Sequence, residues 1–330
     1  MKKVKLGKSD VEITPMVFGA WAIGGWMWGG SDDKEAVTAI KTSIDHGITS
    51  IDTAPIYGFG HSEKIVGEAV KSYSRDKIQL LTKFGMRWDT KEGDFYFESK
   101  KNDGTPVKIH KFAGKQSIIN ECEESLKRLG TDYIDLYQIH WPDKTTPIEE
   151  SFEAVDQLKK EGKIRSAGVS NYSVDQMKIA HGVTPLASNQ VPYSMVLRDI
   201  EKEVVPFCID NGIGILAYSP LQRGLLTGKI TSDYKFNEGD HRKSTKFFQE
   251  PNLSRTNAFL DEIKPIAEKH DATLAQLVIN WTLQQPGITS VLVGARNKEQ
   301  VAQNAQALSF DLDTEIVDEI TEKLNKLQIV

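Results

Sequence analysis

Residues 50–83, SIDTAPIYGFGHSEKIVGEAVKSYSRDKIQLLTK, hold one full repeat of the pattern on which the chain is built. Ser50 to Thr53 is a short β-type run, Ser62 to Lys71 carries apolar residues at a 3.6-residue period, and Ile78 to Lys83 is a second β-type run. That order predicts two parallel strands joined by a crossover helix. The alternation continues in both directions. Met16 to Gly19 precedes it, and Tyr133 to His140, Ile164 to Val169, Ala187 to Gln190, Ile213 to Tyr218 and Ser290 to Gly294 follow. Helical periodicity fills several gaps, at Ala36 to His46, Ile118 to Leu129 and Phe152 to Lys160. Eight strands with intervening helices fit a closed (β/α)8 TIM barrel, an α/β fold, better than a doubly wound sheet.

Local signals punctuate these units. Thr146 with Glu149 and Ser173 with Gln176 have capping-box spacing, Pro147 stands at a favoured first helical position, and Gly47, Gly130 and Gly162 follow helical runs. Val4, Leu6, Val11 and Ile13 alternate with polar residues around Gly7 to Asp10, which predicts an N-terminal β-hairpin cap on the barrel bottom. No linker or composition shift appears, so residues 1–330 are expected to form a single barrel domain. Two long connections, Gly85 to Lys115 and Ser219 to Leu253, are expected as long loops on the C-terminal face, the second with Gly224, Gly228 and Gly239 to permit movement.

Composition narrows the function. With 330 residues, 39% hydrophobic and 26% charged, the chain has a globular balance. Its 41 basic and 46 acidic residues form no concentrated basic stripe, so no nucleic acid partner is expected. The N-terminus lacks a signal-peptide apolar run and no long apolar stretch follows, so no membrane association is expected. Two cysteines, Cys122 and Cys208, are too few for a disulfide framework and suit a reducing, cytoplasmic location. Neither H-E-x-x-H nor C-x-x-C occurs, and no metal is expected. Gly212, Gly214 and Ala217 match a dinucleotide fingerprint only in spelling, because they precede or occupy a strand instead of opening a helix.

Barrel enzymes place their chemistry where strands end. Here the runs end in Asp52, with Tyr57 just beyond, in Lys83 and in His140. A phenol with a pKa of about 10 is a weak acid at neutrality, and an ammonium roughly 4 Å away would lower it. Lys83 is therefore expected to acidify Tyr57, Asp52 to hold the ammonium, and His140 to donate a hydrogen bond to a substrate oxygen. Such a set delivers a proton to an oxygen that is becoming negative, as in carbonyl reduction.

At these residues, and at Ser62, Glu63, Gly67, Gly168 to Asn171, Gln190, Tyr218 to Pro220 and Gly294 to Arg296, the chain resembles the aldo-keto reductases. Trp141, Pro142 and Asp143 after His140, and Gly224 to Lys229, are most similar to the bacterial general-stress and vegetative members related to potassium-channel β subunits. The resemblance implies a catalytic tetrad of Asp52, Tyr57, Lys83 and His140, with Tyr57 as general acid in reduction, and an NADPH/NADP+ cofactor. It implies that Ser170, Asn171 and Gln190 hold the nicotinamide carboxamide and that Tyr218 stacks on the ring. Ser219, Leu221, Arg223, Lys229 and Arg242, with Pro220 and Gln222 between them, fall in the stretch that clasps the pyrophosphate. Gly294, Ala295, Arg296, Gln300 and Asn304 fall at the adenosine end, and Ala20 and Trp21 beside the cofactor.

A bottom-up reason supports the adenosine end: backbone amides before a helix capped near Asn297 suit a phosphate, and the Arg296 fork suits a 2′-phosphate. Many family members carry a Lys-Ser pair and a later Arg where this chain has Gly294, Ala295 and Gln300. For the small-molecule carbonyl substrate, Trp21, Tyr57, His140 and Trp141 are the expected contacts, with Trp26, Trp28 and Trp88 as rim packing. Two other classes share these residues. One is a cofactor-binding, redox-sensing regulatory subunit with slow turnover, and the other a barrel aldolase with Lys83 as Schiff-base amine.

Overall fold

The computed structural model describes residues 2–236 and 240–330, so Gly239 lies outside the described residues. The chain opens with a two-stranded hairpin, β1 (Val4–Lys5) and β2 (Glu12–Ile13). Eight parallel strands then close a barrel: β3 (Met16–Gly19), β4 (Ser50–Asp52), β5 (Gln79–Phe84), β9 (Ile134–Ile139), β10 (Ile164–Ser170), β11 (Leu186–Pro192), β12 (Gly214–Tyr218) and β13 (Ile288–Gly294). All eight expected runs are barrel strands. The helices are α1 (Asp33–Asp45), α2 (His61–Val70), α3 (Lys115–Leu129), α4 (Ile148–Lys160), α5 (Val174–Val183), α6 (Val204–Asn211), α7 (Asn252–Lys269), α8 (Leu274–Leu283), α9 (Lys298–Ala305) and α10 (Thr314–Leu324).

Alternation along the strands separates two cores. Ile51, Leu80, Tyr137 and Val169 join Ile40, Val66, Ile118 and Phe152 of the helices in the layer between barrel and helices. Val17, Leu81, Leu136, Ala187, Leu216 and Leu292 form a separate cluster with Leu6, Val11 and Ile13 of the hairpin, which is how the hairpin closes the barrel bottom. The turn between β1 and β2 needs glycine: Gly7 has φ +58°, and a Cβ there would lie 2.6 Å from the Gly212 carbonyl oxygen.

Side-chain caps set four of the ten α-helix starts among the described residues. Asp32 accepts from the Lys34 and Glu35 amides at 2.9 Å, and Ser173 with Gln176 forms the expected capping box. The expected Thr146 box does not form. The Thr146 hydroxyl instead donates to Asp143 Oδ2 at 2.7 Å, Pro147 takes the cap position, and α4 starts at Ile148. The buried Asp143 carboxylate also gathers the Ala113 amide and the Thr145 amide and hydroxyl, which outcompetes a local cap.

The Gly85 to Lys115 connection is not a plain loop. It folds into an antiparallel sheet of β6 (Met86–Arg87), β8 (Pro106–Lys111) and β7 (Asp94–Lys100), whose Phe97, Val107 and Ile109 pack on Trp26, Ile56 and Met86. Beyond β12, three-ten turns at Gln222–Thr227, His241–Ser244 and Lys246–Phe248 lead into α7. Both insertions stand at the C-terminal ends of their strands.

Candidate active site

The ends of β4, β5 and β9 bring four titratable side chains together. Lys83, fully buried, donates to Asp52 Oδ1 at 2.5 Å, to the Thr53 carbonyl at 3.0 Å and to the Tyr57 hydroxyl at 3.4 Å. The His140 ring meets the Tyr57 ring edge-on at 5.6 Å. Asp52 Oδ2 accepts from Gln190 Nε2 at 2.8 Å and from Gln138 Nε2 at 3.4 Å. Burial, against the opposing attraction of Asp52 and Glu63, lowers the Lys83 pKa.

The expected acidification of Tyr57 is not what this geometry produces. Burial and then the Asp52 carboxylate push the phenol well above its ordinary value. The Lys83 charge is largely answered by Asp52 before it reaches the ring. Burial and then the Lys83 ammonium push His140 well below the usual imidazole range, so its ring is neutral at pH 7 with one N–H to donate.

Asp52, Tyr57 and His140 line a cleft of about 650 Å³ that runs to the ends of β12 and β13, with Lys83 buried behind them. Trp21, Tyr57, His140 and Trp141 line it, and so do Ser170, Asn171, Gln190, Tyr218, Ser219, Pro220, Leu221, Arg223, Lys229, Gly294, Ala295, Arg296, Gln300 and Asn304. Asn171, at φ +61°, donates to Ser170 Oγ and to the His140 carbonyl and accepts from the Tyr218 hydroxyl at 2.9 Å. Ser219, Gln222 and Arg223 are also left-handed, a cluster of strained backbone on one rim.

Three expected contacts lie behind this wall. Ala20 is fully buried and its amide donates to the Asp52 carbonyl, Gln222 accepts from Ser194 Oγ, and Arg242 pairs with Asp240 and donates to the Arg223 carbonyl. The tryptophan assignment also changes. Trp26 and Trp28 line the cleft, because the β6–β8–β7 sheet and the Arg296 contact hold their loop over it, whereas Trp88 packs edge-on against Phe59. Tyr96 and Phe97, on a strand the sequence did not reveal, complete the apolar wall. Lys83 is outside the lining and bound on three sides, which removes it as a Schiff-base nucleophile.

The cleft suits a long anionic ligand. Its charged lining residues are Arg223, Lys229, Arg296 and Asp52, and Asp52 is neutralised by Lys83. The N-terminus of α9, capped by Asn297, adds a positive helix end, and Trp21 and Trp28 bury indole N–H groups that have no partner among the described residues. Arg296 donates to the Trp28 carbonyl at 2.6 Å and lies over its ring. These donors fit a nicotinamide dinucleotide. Among the described residues no helix is long and apolar enough to cross a membrane, and no group of three or more His, Cys, Asp and Glu side chains is placed to hold a metal ion.

A parallel barrel carrying an acid, a lysine, a tyrosine and a histidine at adjacent strand ends is the architecture of a carbonyl oxidoreductase. The chain belongs to the aldo/keto reductase family, whose sequence pattern it matches over residues 15–325. It is 40% identical over 96% of its length to the aldo-keto reductase YhdN of Bacillus subtilis (strain 168), covering 91% of that protein. It is 38% identical over 99% of its length to an NADH-specific methylglyoxal reductase of Escherichia coli (strain K12), covering all of it. Among solved structures, a glycerol dehydrogenase from Gluconobacter oxydans superposes with a TM-score of 0.89 at 38% identity, over 99% of this chain and 96% of that one.

Proposed function

We propose that residues 1–330 form a single-domain, cytoplasmic NADPH-dependent reductase that converts aldehydes or ketones to alcohols, with Asp52, Tyr57, Lys83 and His140 as its catalytic set. The observation that carries this reading is the buried Lys83 ammonium in contact with both Asp52 and Tyr57, which line the cleft. The hydride would come from a nicotinamide bound in the cleft. Neutral His140 donates its N–H to the substrate oxygen and favours charge build-up there. Tyr57 then gives its proton to that oxygen. The acceptor is an alkoxide in a poorly solvated site, more basic than even a raised phenol, and Lys83 stabilises the tyrosinate left behind.

Asn171 and Ser170, already bonded to each other, would hold the carboxamide, with Gln190 beside them and Tyr218 against the ring. Arg223 and Lys229 would meet the pyrophosphate. Arg296 would take the 2′-phosphate that distinguishes NADPH from NADH.

The test is consumption of NADPH and, separately, NADH with a reactive aromatic aldehyde, for the wild type and Tyr57→Phe. Turnover that favours NADPH and falls about 10²-fold or more in the variant is expected. Wild-type turnover in Tyr57→Phe would overturn the assignment of Tyr57.

A further inference from the structure

Gln138 lies on β9 two residues before His140, fully buried, and its side chain points into the barrel. Across the sheet it is in register with Lys83 of β5 and with Gly168 of β10, and Gly168 in turn with Ser188 of β11. Its amide has one polar contact, the 3.4 Å approach of Nε2 to Asp52 Oδ2, and its Oε1 has no partner among the described residues. A buried amide with its carbonyl oxygen unpartnered costs stability, and an apolar residue of the same length would not. Packing therefore does not account for a glutamine here. The neighbouring strand makes room for it: a Cβ on Gly168 would lie 2.9 Å from Gln138 Cγ and 2.8 Å from Ser188 Oγ.

We infer that Gln138 is a positioning residue for the reaction, the amide that holds the outer oxygen of Asp52 when Gln190 is drawn to the cofactor. This inference rests on the catalytic reading of Asp52, Lys83 and Tyr57 above. Asp52 has two oxygens to satisfy. Lys83 takes Oδ1, and Gln190 and Gln138 share Oδ2. Gln190 also lines the cleft, so a ligand amide competes for it, whereas Gln138 lies below the lining and faces only Asp52. Only the NH2 side of the amide can face a carboxylate, which fixes its orientation.

The titratable and charged groups around this carboxylate are Lys83 on β5, Tyr57 after β4, His140 at the end of β9, and Glu63 of α2 acting on Lys83. Removing a donor from Oδ2 leaves more negative charge bearing on Lys83 and Tyr57, so both hold their protons more tightly.

Gln138→Met keeps the length and removes the donor. The expected result in steady-state reduction is a kcat about ten-fold lower, an unchanged KM for the aldehyde and a kcat–pH profile displaced to higher pH. Gly168→Ala, which crowds Gln138 without touching its amide, is expected to give the same displacement in weaker form. Wild-type kcat and pH profile in Gln138→Met, with Asp52→Asn impaired, would overturn the inference and leave the catalytic reading standing. Wild-type behaviour in Asp52→Asn as well would overturn that reading. Should Gln138→Met fail to fold, Gly168→Ala decides the question: an unchanged pH profile in that variant counts against the positioning role.

Discussion

Lys83 and Asp52 form an ion pair at 2.5 Å with side chains 0% and 2% exposed, thirty-one residues apart in sequence and held by neighbouring strands. Removing one member of so buried a pair strands the other. Lys83→Met is expected to lose roughly 3–5 kcal/mol of stability along with turnover, whereas Lys83→Met with Asp52→Leu recovers most of the stability and none of the turnover. Urea unfolding beside aldehyde reduction distinguishes the two. A double variant no more stable than the single would contradict the account.

Glu121 of α3 binds the Gly85 amide just beyond β5 and meets Arg87 at the base of the β6–β8–β7 sheet. Burial, opposed by Arg87, raises its pKa to about 7. A carboxyl raised in the folded state contributes stability that is full below its unfolded pKa of about 4.3 and is lost as pH rises through its folded value. Between pH 4.5 and 7 wild-type stability should therefore carry a downward component of about 3 kcal/mol that is missing from Glu121→Gln. Parallel pH series of unfolding midpoints in urea would show it, and identical slopes would refute it.

His140 is shifted the other way. A depressed imidazole contributes stability that is present above the unfolded pKa of about 6.5 and lost as pH falls. NMR titration of the ring should find it neutral at pH 6, and an imidazolium signal there would contradict the neutral state in which His140 is proposed to act.

Arg296 crosses from the end of β13 to the Trp28 loop, 268 residues away in sequence. Arg296→Gln is expected to weaken NADPH binding about ten-fold and NADH binding much less, measured by quenching of tryptophan fluorescence. Equal losses for both cofactors would make Arg296 a general clamp and remove its part in the 2′-phosphate preference.

At the opposite face, Gly7→Ala would force a left-handed residue into the Gly212 and Ala187 carbonyls. A loss of at least about 2 kcal/mol with unchanged KM is the expected signature of a position that serves the fold alone. Thermal unfolding and aldehyde kinetics together read it.

Much of the molecule was legible because it is written in short range. Strand and helix periods, the Ser173 box and the Asn297 cap depend on residues a few positions apart, and parallel strands with crossover helices leave few ways to close. The four strand-end residues were visible for the same reason: strands end where apolar runs end. The β6–β8–β7 sheet was not visible, because its edge strand β7 sets three consecutive aromatics, Phe95 to Phe97, between charged residues and so shows no period-two alternation in the sequence. The Thr146 cap failed because Asp143 offers that hydroxyl a competing partner within a buried cluster.

By itself the sequence determined the (β/α)8 order and which side chains stand at the catalytic end, since both follow from local patterning and the direction of the strands. The tertiary structure alone decided the electrostatics: that Asp52 answers Lys83 before the charge reaches Tyr57, that Gln138 faces Asp52, and that Arg296 reaches Trp28. Charge and hydrogen-bond energies depend on distances of a few ångströms between residues far apart in the chain, and those distances exist only once the barrel has closed.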